Sequence, residues 1–161
     1  MSASPEQPES VEPSGLPALH FPPVRLRARK RDGRTEVWDA LRGTYLVLTP
    51  EEWVRQHLIA CLVSHCGAQP LRIVQEYPVR LNGQPQRADV VVVDDAAQPL
   101  LLAECKAPDV RIDRTTLRQA MRYNSVLGAR YVVLTNGLTH YCYERHEDTY
   151  TPLTDFPQLL G

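Results

Sequence analysis

Two neighbouring apolar stretches in the middle of the chain predict a β-hairpin. Residues 87–93 and 100–106 are rich in valine and leucine, and the loop between them, 94–99, is mostly polar or small. Symmetric pairing about this loop gives these opposed pairs: Val93 with Leu100, Val91 with Leu102, Asp89 with Glu104, and Arg87 with Lys106. Because side chains alternate between the two faces of a strand, the four charged residues share one face.

The opposed carboxylates of Asp89 and Glu104 predict a site for a cation. Directly opposed residues of an antiparallel pair have Cβ atoms about 4.5–5.5 Å apart, and like charges there are destabilising. Mg²⁺ binds through one or two carboxylates together with phosphate oxygens, and Lys106 beside it could orient a water or a phosphate oxygen. The alternative is a surface hairpin with an ordinary Glu104–Lys106 ion pair. We favour the metal site, because both charges end an apolar run and buried charges are uncommon without a partner.

Two helices flank the hairpin in the sequence. The earlier one has Thr49 as its N-cap and a proline at its first position, and Glu52 follows at the spacing of a capping box. A third metal carboxylate is the alternative role for Glu52. The later helix begins after Asp113 and ends before a glycine.

The later helix carries Gln119 and Tyr123 four residues apart, so that they share one face. They could address one ligand together, or they could form a solvated polar face with a half-buried tyrosine. Arginines repeat beside them at helical spacing, at Arg114, Arg118 and Arg122. Phosphate contacts and a solvated face are equally compatible with this repeat.

The order of these features resembles the PD-(D/E)XK nuclease superfamily: an early helical glutamate, an aspartate on one strand, Glu-x-Lys on the next, and Gln-x-x-x-Tyr on the following helix. More narrowly, residues 25–150 are similar to the N-terminal nuclease domain of type I restriction-enzyme R subunits. The segments that carry this similarity are 49–56, 87–92, 102–108, 119–124 and 134–137. The resemblance implies an α/β (α+β) fold, in which helices flank a restriction-endonuclease-like central mixed β-sheet with an N-terminal β-extension.

The resemblance also implies roles for individual residues. Asp89 and Glu104 would be metal ligands together with the backbone carbonyl of Cys105, and Lys106 would be the catalytic lysine. Glu52 matches the first-helix glutamate, with Glu51 as the alternative by one residue. Gln119 and Tyr123 match the Gln-x-x-x-Tyr element and would support the site or contact nucleic acid. Their charge makes Arg118, Arg122 and Arg87 further candidates for nucleic-acid contact.

The function implied is a Mg²⁺-dependent endonuclease, with Mn²⁺ as a substitute, that hydrolyses DNA in a restriction or defence system. RNA stays open as a substrate, and other restriction-modification subunits are candidate partners. The similarity runs to near the end of the chain, so we expect the helicase motor of a full R subunit to be missing. The alternative is therefore a nuclease-derived DNA-binding or assembly module without catalytic activity of its own.

The chain divides into three predicted parts. Residues 1–20 are rich in Pro, Ser and Glu and predict a disordered tail. Residues 21–48 alternate in short runs with turns at Asp32-Gly33 and Arg42-Gly43, which predicts a β-extension. Residues 49–161 form the nuclease-like domain, and its last part contains a strand pair at 130–135 and 139–144.

Charge and cysteine content narrow the function classes only slightly. The net charge is -1, but basic residues cluster before the core, at Arg25, Arg27, Arg29, Lys30, Arg31 and Arg34. No apolar run approaches the roughly twenty residues of a membrane span, and the first residues lack the pattern of a signal peptide, so we expect a cytoplasmic protein without a membrane partner. The helical stripe His57, Cys61 and His65 suggests zinc, but its ends lie about 12 Å apart, which favours an ordinary helix face.

Overall fold

The structure is a computed structural model, and it describes residues 16–159. Its helices and strands, in chain order, are β1 (Ala28–Arg31), β2 (Arg34–Asp39), β3 (Thr44–Val47), α1 (Pro50–Ser64), β4 (Ile73–Leu81), β5 (Gln84–Val93), β6 (Pro99–Cys105), α2 (Arg114–Leu127), β7 (Tyr131–Thr135), β8 (His140–His146) and β9 (Thr149–Leu153). A single 3₁₀ turn, Pro70–Arg72, precedes β4. No helix among the described residues is long and apolar enough to cross a membrane.

The strands form two sheets. Six strands follow the order β4-β5-β6-β7-β8-β9, and the three N-terminal strands form a separate antiparallel sheet in the order β1-β2-β3. In the larger sheet β6 and β7 are parallel and the other neighbours are antiparallel. Helix α2 makes the crossover between the parallel strands, as parallel pairing requires. The predicted α+β class, with a mixed sheet and an N-terminal β-extension, is confirmed.

The two helices pack on opposite faces of the larger sheet. Val54 and Leu58 of α1 lie in one core cluster with Val90 of β5 and Ala103 of β6. Tyr123 of α2 packs with alternate residues of the same strands, which include Val91 and Leu102. Strands covered on both faces read as continuous apolar runs, and this explains the valine and leucine content of the hairpin.

The helix ends follow the predicted capping residues. The Thr49 side chain accepts a hydrogen bond from the N–H of Glu52, and proline occupies the first turn of α1. The Asp113 side chain accepts from the N–H of Thr116 at the start of α2, and Gly128 ends that helix in the left-handed region, at φ 67°. Each of these caps satisfies a backbone group that a helix end would otherwise leave without a partner.

The central hairpin follows the predicted register except next to its loop. Val91 pairs with Leu102 as predicted, but Val93 pairs with Pro99, so the predicted partner, Leu100, is wrong. A bulge between Val92 and Val93 takes up the extra residue. The predicted Arg87–Lys106 pair is a second correction. Strand β6 ends at Cys105, the N–H of Lys106 donates to Thr135 of β7, and Arg87 pairs with Pro78 of β4.

The last residues of the predicted tail pack against α1 and the loop after β7. The prediction of a disordered tail covers residues 1–20, of which 1–15 lie outside the described part of the chain. Leu19 packs against the core cluster of α1, and the N–H of His20 donates to the carbonyl of Gly137 at 2.7 Å. Within the predicted tail, Leu19 is thus partly buried against the core cluster, and the division of the chain at residue 20 stays a prediction.

Candidate functional site

Asp89 and Glu104 lie side by side at the end of the central hairpin. The pairing of Val90 with Ala103 continues by one residue to set them opposite each other on β5 and β6. The N–H of Asp89 donates to Glu104 Oε1 at 3.3 Å, and the N–H of Cys105 donates to Asp89 Oδ2 at 2.8 Å. Each carboxylate is thus held by a backbone group of the opposite strand.

The closeness of the two carboxylates alters the titration of Glu104. Burial first, and then the charge and hydrogen bond of Asp89, raise the pKa of Glu104 to about 9. The backbone hydrogen bond from Asp89 and the charge of Lys106 oppose this rise. Glu104 is 7% exposed, so water screens the repulsion poorly. A bound cation would relieve both the burial penalty and the repulsion.

Lys106 follows directly after β6 and is half-buried. Its backbone N–H donates to Thr135 of β7 at 2.8 Å, which fixes the start of its side chain at the end of the parallel strand pair. Its ammonium charge lowers the pKa of both Glu104 and Glu51. The ammonium group of Lys106 therefore places a positive charge near the carboxylate pair, in line with the Glu-x-Lys spacing.

The first turn of α1 presents Glu51 to this site and uses Glu52 elsewhere. The Glu52 carboxylate is buried, is paired with the Arg55 guanidinium, and accepts a hydrogen bond from Gln56 Nε2 at 2.8 Å. The pKa of Glu51 is raised by burial and by the charge of Asp89, and it is lowered by Lys106. Of the two glutamates, Glu51 is the one that interacts with the proposed site. This favours the alternative assignment over Glu52 for the first-helix carboxylate.

Glu76 lies near the site, and no role is predicted for it from the sequence pattern. Strand β4 pairs with β5 through Gln75–Val90 and Tyr77–Ala88, so Glu76 stands opposite Asp89 on the side away from Glu104. Glu76 has a φ of 54°, a left-handed conformation that is uncommon for residues other than glycine. Its carboxylate pairs with Arg42 Nη2 at 3.0 Å.

Asp39 ties the N-terminal sheet to the larger domain beside this site. It is fully buried, and its carboxylate accepts hydrogen bonds from Gln75 Nε2 at 2.8 Å and from Gln56 Nε2 at 3.4 Å. It also accepts from the N–H groups of Leu41 and Arg42 in the turn after β2. A buried carboxylate with this many donors is satisfied, so its role is to dock the two parts of the chain.

Helix α2 carries the predicted Gln-x-x-x-Tyr pair. Gln119 Nε2 donates to the Tyr123 hydroxyl at 3.1 Å, and the tyrosine ring is buried. The predicted alternative, a half-buried tyrosine on a solvated face, underestimates this burial. The arginines beside the pair, Arg114, Arg118 and Arg122, are exposed.

The donor set at the end of the hairpin fits a hard cation only when solvent or substrate completes it. Within residues 16–159, no group of three His, Cys, Asp or Glu side chains converges in the manner of an all-protein metal site. Mg²⁺ usually keeps several waters and binds through one or two carboxylates plus phosphate oxygens, so the pair of Asp89 and Glu104 meets its minimum requirement. Cys61 and Cys66 at the end of α1 are buried free thiols.

Solved structures provide distant comparisons. The fragment of a protein assigned as an HsdR subunit of a type I restriction enzyme, from Vibrio vulnificus YJ016, has a TM-score of 0.53 and 21% identity, covering 69% of this chain and 24% of that one. A protein assigned as a DUF820 nuclease from Anabaena variabilis ATCC 29413 has a TM-score of 0.46 and 10% identity, covering 84% and 80%. The first likeness bears on the fold alone, and this chain spans about a quarter of that HsdR fragment. No curated protein sequence matches the chain.

The family comparison covers the whole candidate site. A family model described as Type I restriction enzyme R protein N terminus (HSDR_N) matches residues 50–157, which is more than half of the chain. The matched span contains Glu51, Asp89, Glu104, Lys106 and the polar pair of α2. The chain belongs to the family of type I restriction enzyme R protein N-terminal domains.

Proposed function

We propose that this protein is a metal-dependent endonuclease that hydrolyses phosphodiester bonds in DNA. The observation that carries the proposal is the opposition of the half-buried Asp89 and the buried Glu104, with Lys106 beside them. Stability alone would not favour a buried carboxylate next to a second, half-buried one, because the repulsion of the pair and the desolvation of Glu104 are both unfavourable. Perturbed carboxylates of this kind cluster at functional sites.

The proposed metal is Mg²⁺, with Mn²⁺ as a substitute, held by Asp89 and Glu104. The backbone carbonyl of Cys105 is the further protein ligand proposed, because the N–H of the same residue already points to Asp89. In a strand, one residue's N–H and carbonyl lie on the same side. Glu51 would approach from α1, either directly or through a water, while Glu52 holds Arg55 in place.

The residues of the chain contribute charge and position to the reaction. When bound, the metal supplies a cation that stabilises the charge developing on the phosphate and lowers the pKa of an attacking water. Asp89 and Glu104 must both be ionised to hold it, so metal binding displaces the proton that burial keeps on Glu104. Lys106 would orient the attacking water or stabilise the extra negative charge of the transition state. Either role requires its ammonium or amine to lie beside the carboxylate pair.

Helix α2 would support the site and contact the DNA backbone. Because Gln119 Nε2 donates to the Tyr123 hydroxyl, the amide oxygen of Gln119 remains as a polar acceptor on this helix. The exposed Arg118 and Arg122 supply positive charge along the same helix. Such contacts to phosphate fix the position of the nucleic acid without reading its sequence.

The deciding experiment is cleavage by the purified chain. Supercoiled plasmid DNA is incubated with Mg²⁺, with Mn²⁺, or with EDTA, and nicked and linear products are separated on a gel. The proposal expects products that depend on the metal and disappear with EDTA. Metal binding without cleavage, across several DNA and RNA substrates, would support the binding or assembly module instead.

A further inference from the structure

The N-terminal sheet has one buried face and one charged face. Ala28 and Val37 point inward and are almost completely buried, and they are paired across β1 and β2. Because side chains alternate along a strand, the residues next to Ala28 and Val37 in the sequence point to the other face of the sheet. These outward residues form a surface that we call the basic face, and its members are Arg27, Arg29, Arg31, Arg34, Glu36, Trp38 and Tyr45.

Two aromatic rings organise the arginines of the basic face. The Arg29 guanidinium lies 3.7 Å from the centroid of the Tyr45 ring, and the Arg27 guanidinium lies 5.2 Å from that of Trp38. The two rings meet edge to face, at 5.0 Å. Stacking on a ring holds a guanidinium in one orientation and leaves N–H groups at its rim for other partners; in Arg29 these are the Nη groups, because Nε donates to Glu36. The arginines are therefore preorganised donors, and the rings beneath them are already covered.

The acidic groups of the basic face are too few to neutralise its arginines. Arg31 stands directly opposite Arg34 in the β1–β2 ladder, an arrangement of like charges that is destabilising. Glu36 pairs with Arg29 at 2.8 Å, whereas Asp32 is 4.0 Å from Arg31 and is 92% exposed. Exposed pairs of the second kind contribute little. Four arginines thus share one close carboxylate partner, the half-buried Glu36, and the charge complement of such a surface is a polyanion.

We propose that the basic face binds the phosphodiester backbone of DNA, as an accessory surface separate from the cleavage site. The choice of DNA as the polyanion rests on the proposed function. The guanidiniums cover the rings, which favours contact with phosphates over stacking of bases. The N-terminal sheet is docked beside the cleavage site through Asp39–Gln56 and Arg42–Glu76, so one DNA molecule could contact both surfaces.

The test measures DNA binding in EDTA, where cleavage cannot occur. Binding of the full chain to a fluorescent duplex is followed by anisotropy over a range of salt concentrations. Arg31→Gln is expected to weaken binding and to make the slope of log K against log salt shallower by about 0.9, the change for one lost phosphate contact. Arg31→Lys keeps the charge and is expected to keep the slope.

Arg130→Gln is the matched control for charge and exposure. Its side chain is 61% exposed, against 66% for Arg31, and it lies at the start of β7, at the opposite end of the parallel pair from Cys105. This variant is expected to leave the slope unchanged. Equal effects of Arg31→Gln and Arg130→Gln would overturn the proposal, because they would indicate a general charge effect. Unchanged binding in Arg31→Gln, Arg34→Gln and Arg27→Gln would overturn it as well.

The outcome separates this inference from the proposed function. A wild-type protein that binds duplex DNA through the basic face but never cleaves it would support the inference and contradict the nuclease. Metal-dependent cleavage with full binding in all three arginine variants would do the reverse. Binding to vesicles that contain anionic lipid, without binding to DNA, would overturn the choice of nucleic acid. Circular dichroism of each variant confirms that the sheet is folded.

Discussion

The Glu104 carboxylate accepts a hydrogen bond from the backbone N–H of Asp89, and the Asp89 carboxylate accepts one from the N–H that follows Glu104. These reciprocal bonds hold two acidic side chains together at a place where their charges repel. The backbone donors compensate only part of this cost, because the pKa of Glu104 is still raised to about 9, first by burial and then by Asp89. The pair is therefore built at the expense of stability, which is typical of sites retained for function.

The first prediction concerns the stability of the metal-free protein. Above the ordinary pKa of 4.5 an unfolded Glu104 is ionised, whereas the folded protein keeps its proton up to about pH 9. The native state then binds more protons than the unfolded state, so the free energy of unfolding falls as pH rises between these values. Glu104→Gln resembles the protonated form and should be more stable than wild type at pH 8, by about 1 kcal/mol or more. Urea unfolding in EDTA at pH 5 and pH 8 measures both effects, and a wild type with equal or greater stability at pH 8, with Glu104→Gln giving no gain, would contradict them.

The second prediction separates metal binding from catalysis. Lys106→Ala leaves both carboxylates in place, so it should abolish cleavage while Mn²⁺ binding, followed by calorimetry, stays close to wild type. Asp89→Asn removes one of two anionic ligands, and it should weaken Mn²⁺ binding as well as cleavage. Cleavage by Lys106→Ala at the wild-type rate would move the catalytic centre away from this hairpin.

The third prediction distinguishes the two adjacent glutamates of α1. Glu51→Gln removes a charge that interacts with Asp89 and Lys106 at the helix surface, so it should reduce cleavage and leave the melting temperature nearly unchanged. Glu52→Gln removes the partner of Arg55, whose side chain is only 13% exposed, and it should lower the free energy of unfolding by about 1–3 kcal/mol. The two variants have the same chemistry one residue apart, so each is the other's control. A greater loss of cleavage in Glu52→Gln at unchanged stability would restore Glu52 as the site residue.

The sequence predicts the centre of the site because hairpin geometry is local. Alternation along 87–93 and 100–106 is enough to set Asp89 opposite Glu104, and a bulge next to the loop shifts only Val93. The register of β4 follows from the same kind of local geometry. Asn82-Gly83 is a strong signal for a two-residue hairpin, and pairing about it sets Glu76 opposite Asp89. That signal was missed, although it gives three aligned acidic positions across three strands.

Other features depend on contacts between distant parts of the chain, which local patterns do not encode. The choice between Glu51 and Glu52 depends on the azimuth of α1 against the sheet, and one residue rotates a side chain by about 100° around the helix. The sequence alone does not show that Glu52 pairs with Arg55, because this depends on how far the Arg55 side chain is removed from solvent in the folded protein. The sequence pattern does not predict strand β9, Thr149–Leu153. This strand has only five residues, most of them polar or exposed, and one of them is a proline. Proline is tolerated there because β9 is an edge strand.

The last prediction concerns Asp39, which joins the N-terminal sheet to the rest of the protein. Its fully buried carboxylate accepts hydrogen bonds from the amides of Gln56 and Gln75 and from two backbone N–H groups of the following turn. Asp39→Ala removes the shared acceptor of these four donors, of which only Gln56 Nε2 keeps another, Glu52, so it should lower the free energy of unfolding by about 3 kcal/mol. The matched control is Asp32→Ala, which removes an exposed aspartate from the β1–β2 turn; because Asp32 has a φ of 51°, which disfavours alanine, it should cost about 1 kcal/mol at most. Urea unfolding measures both variants. Equal stability of the two would mean that the N-terminal sheet is not docked through Asp39, and hydrogen exchange in β1 and β2 would then be as fast in wild type as in Asp39→Ala.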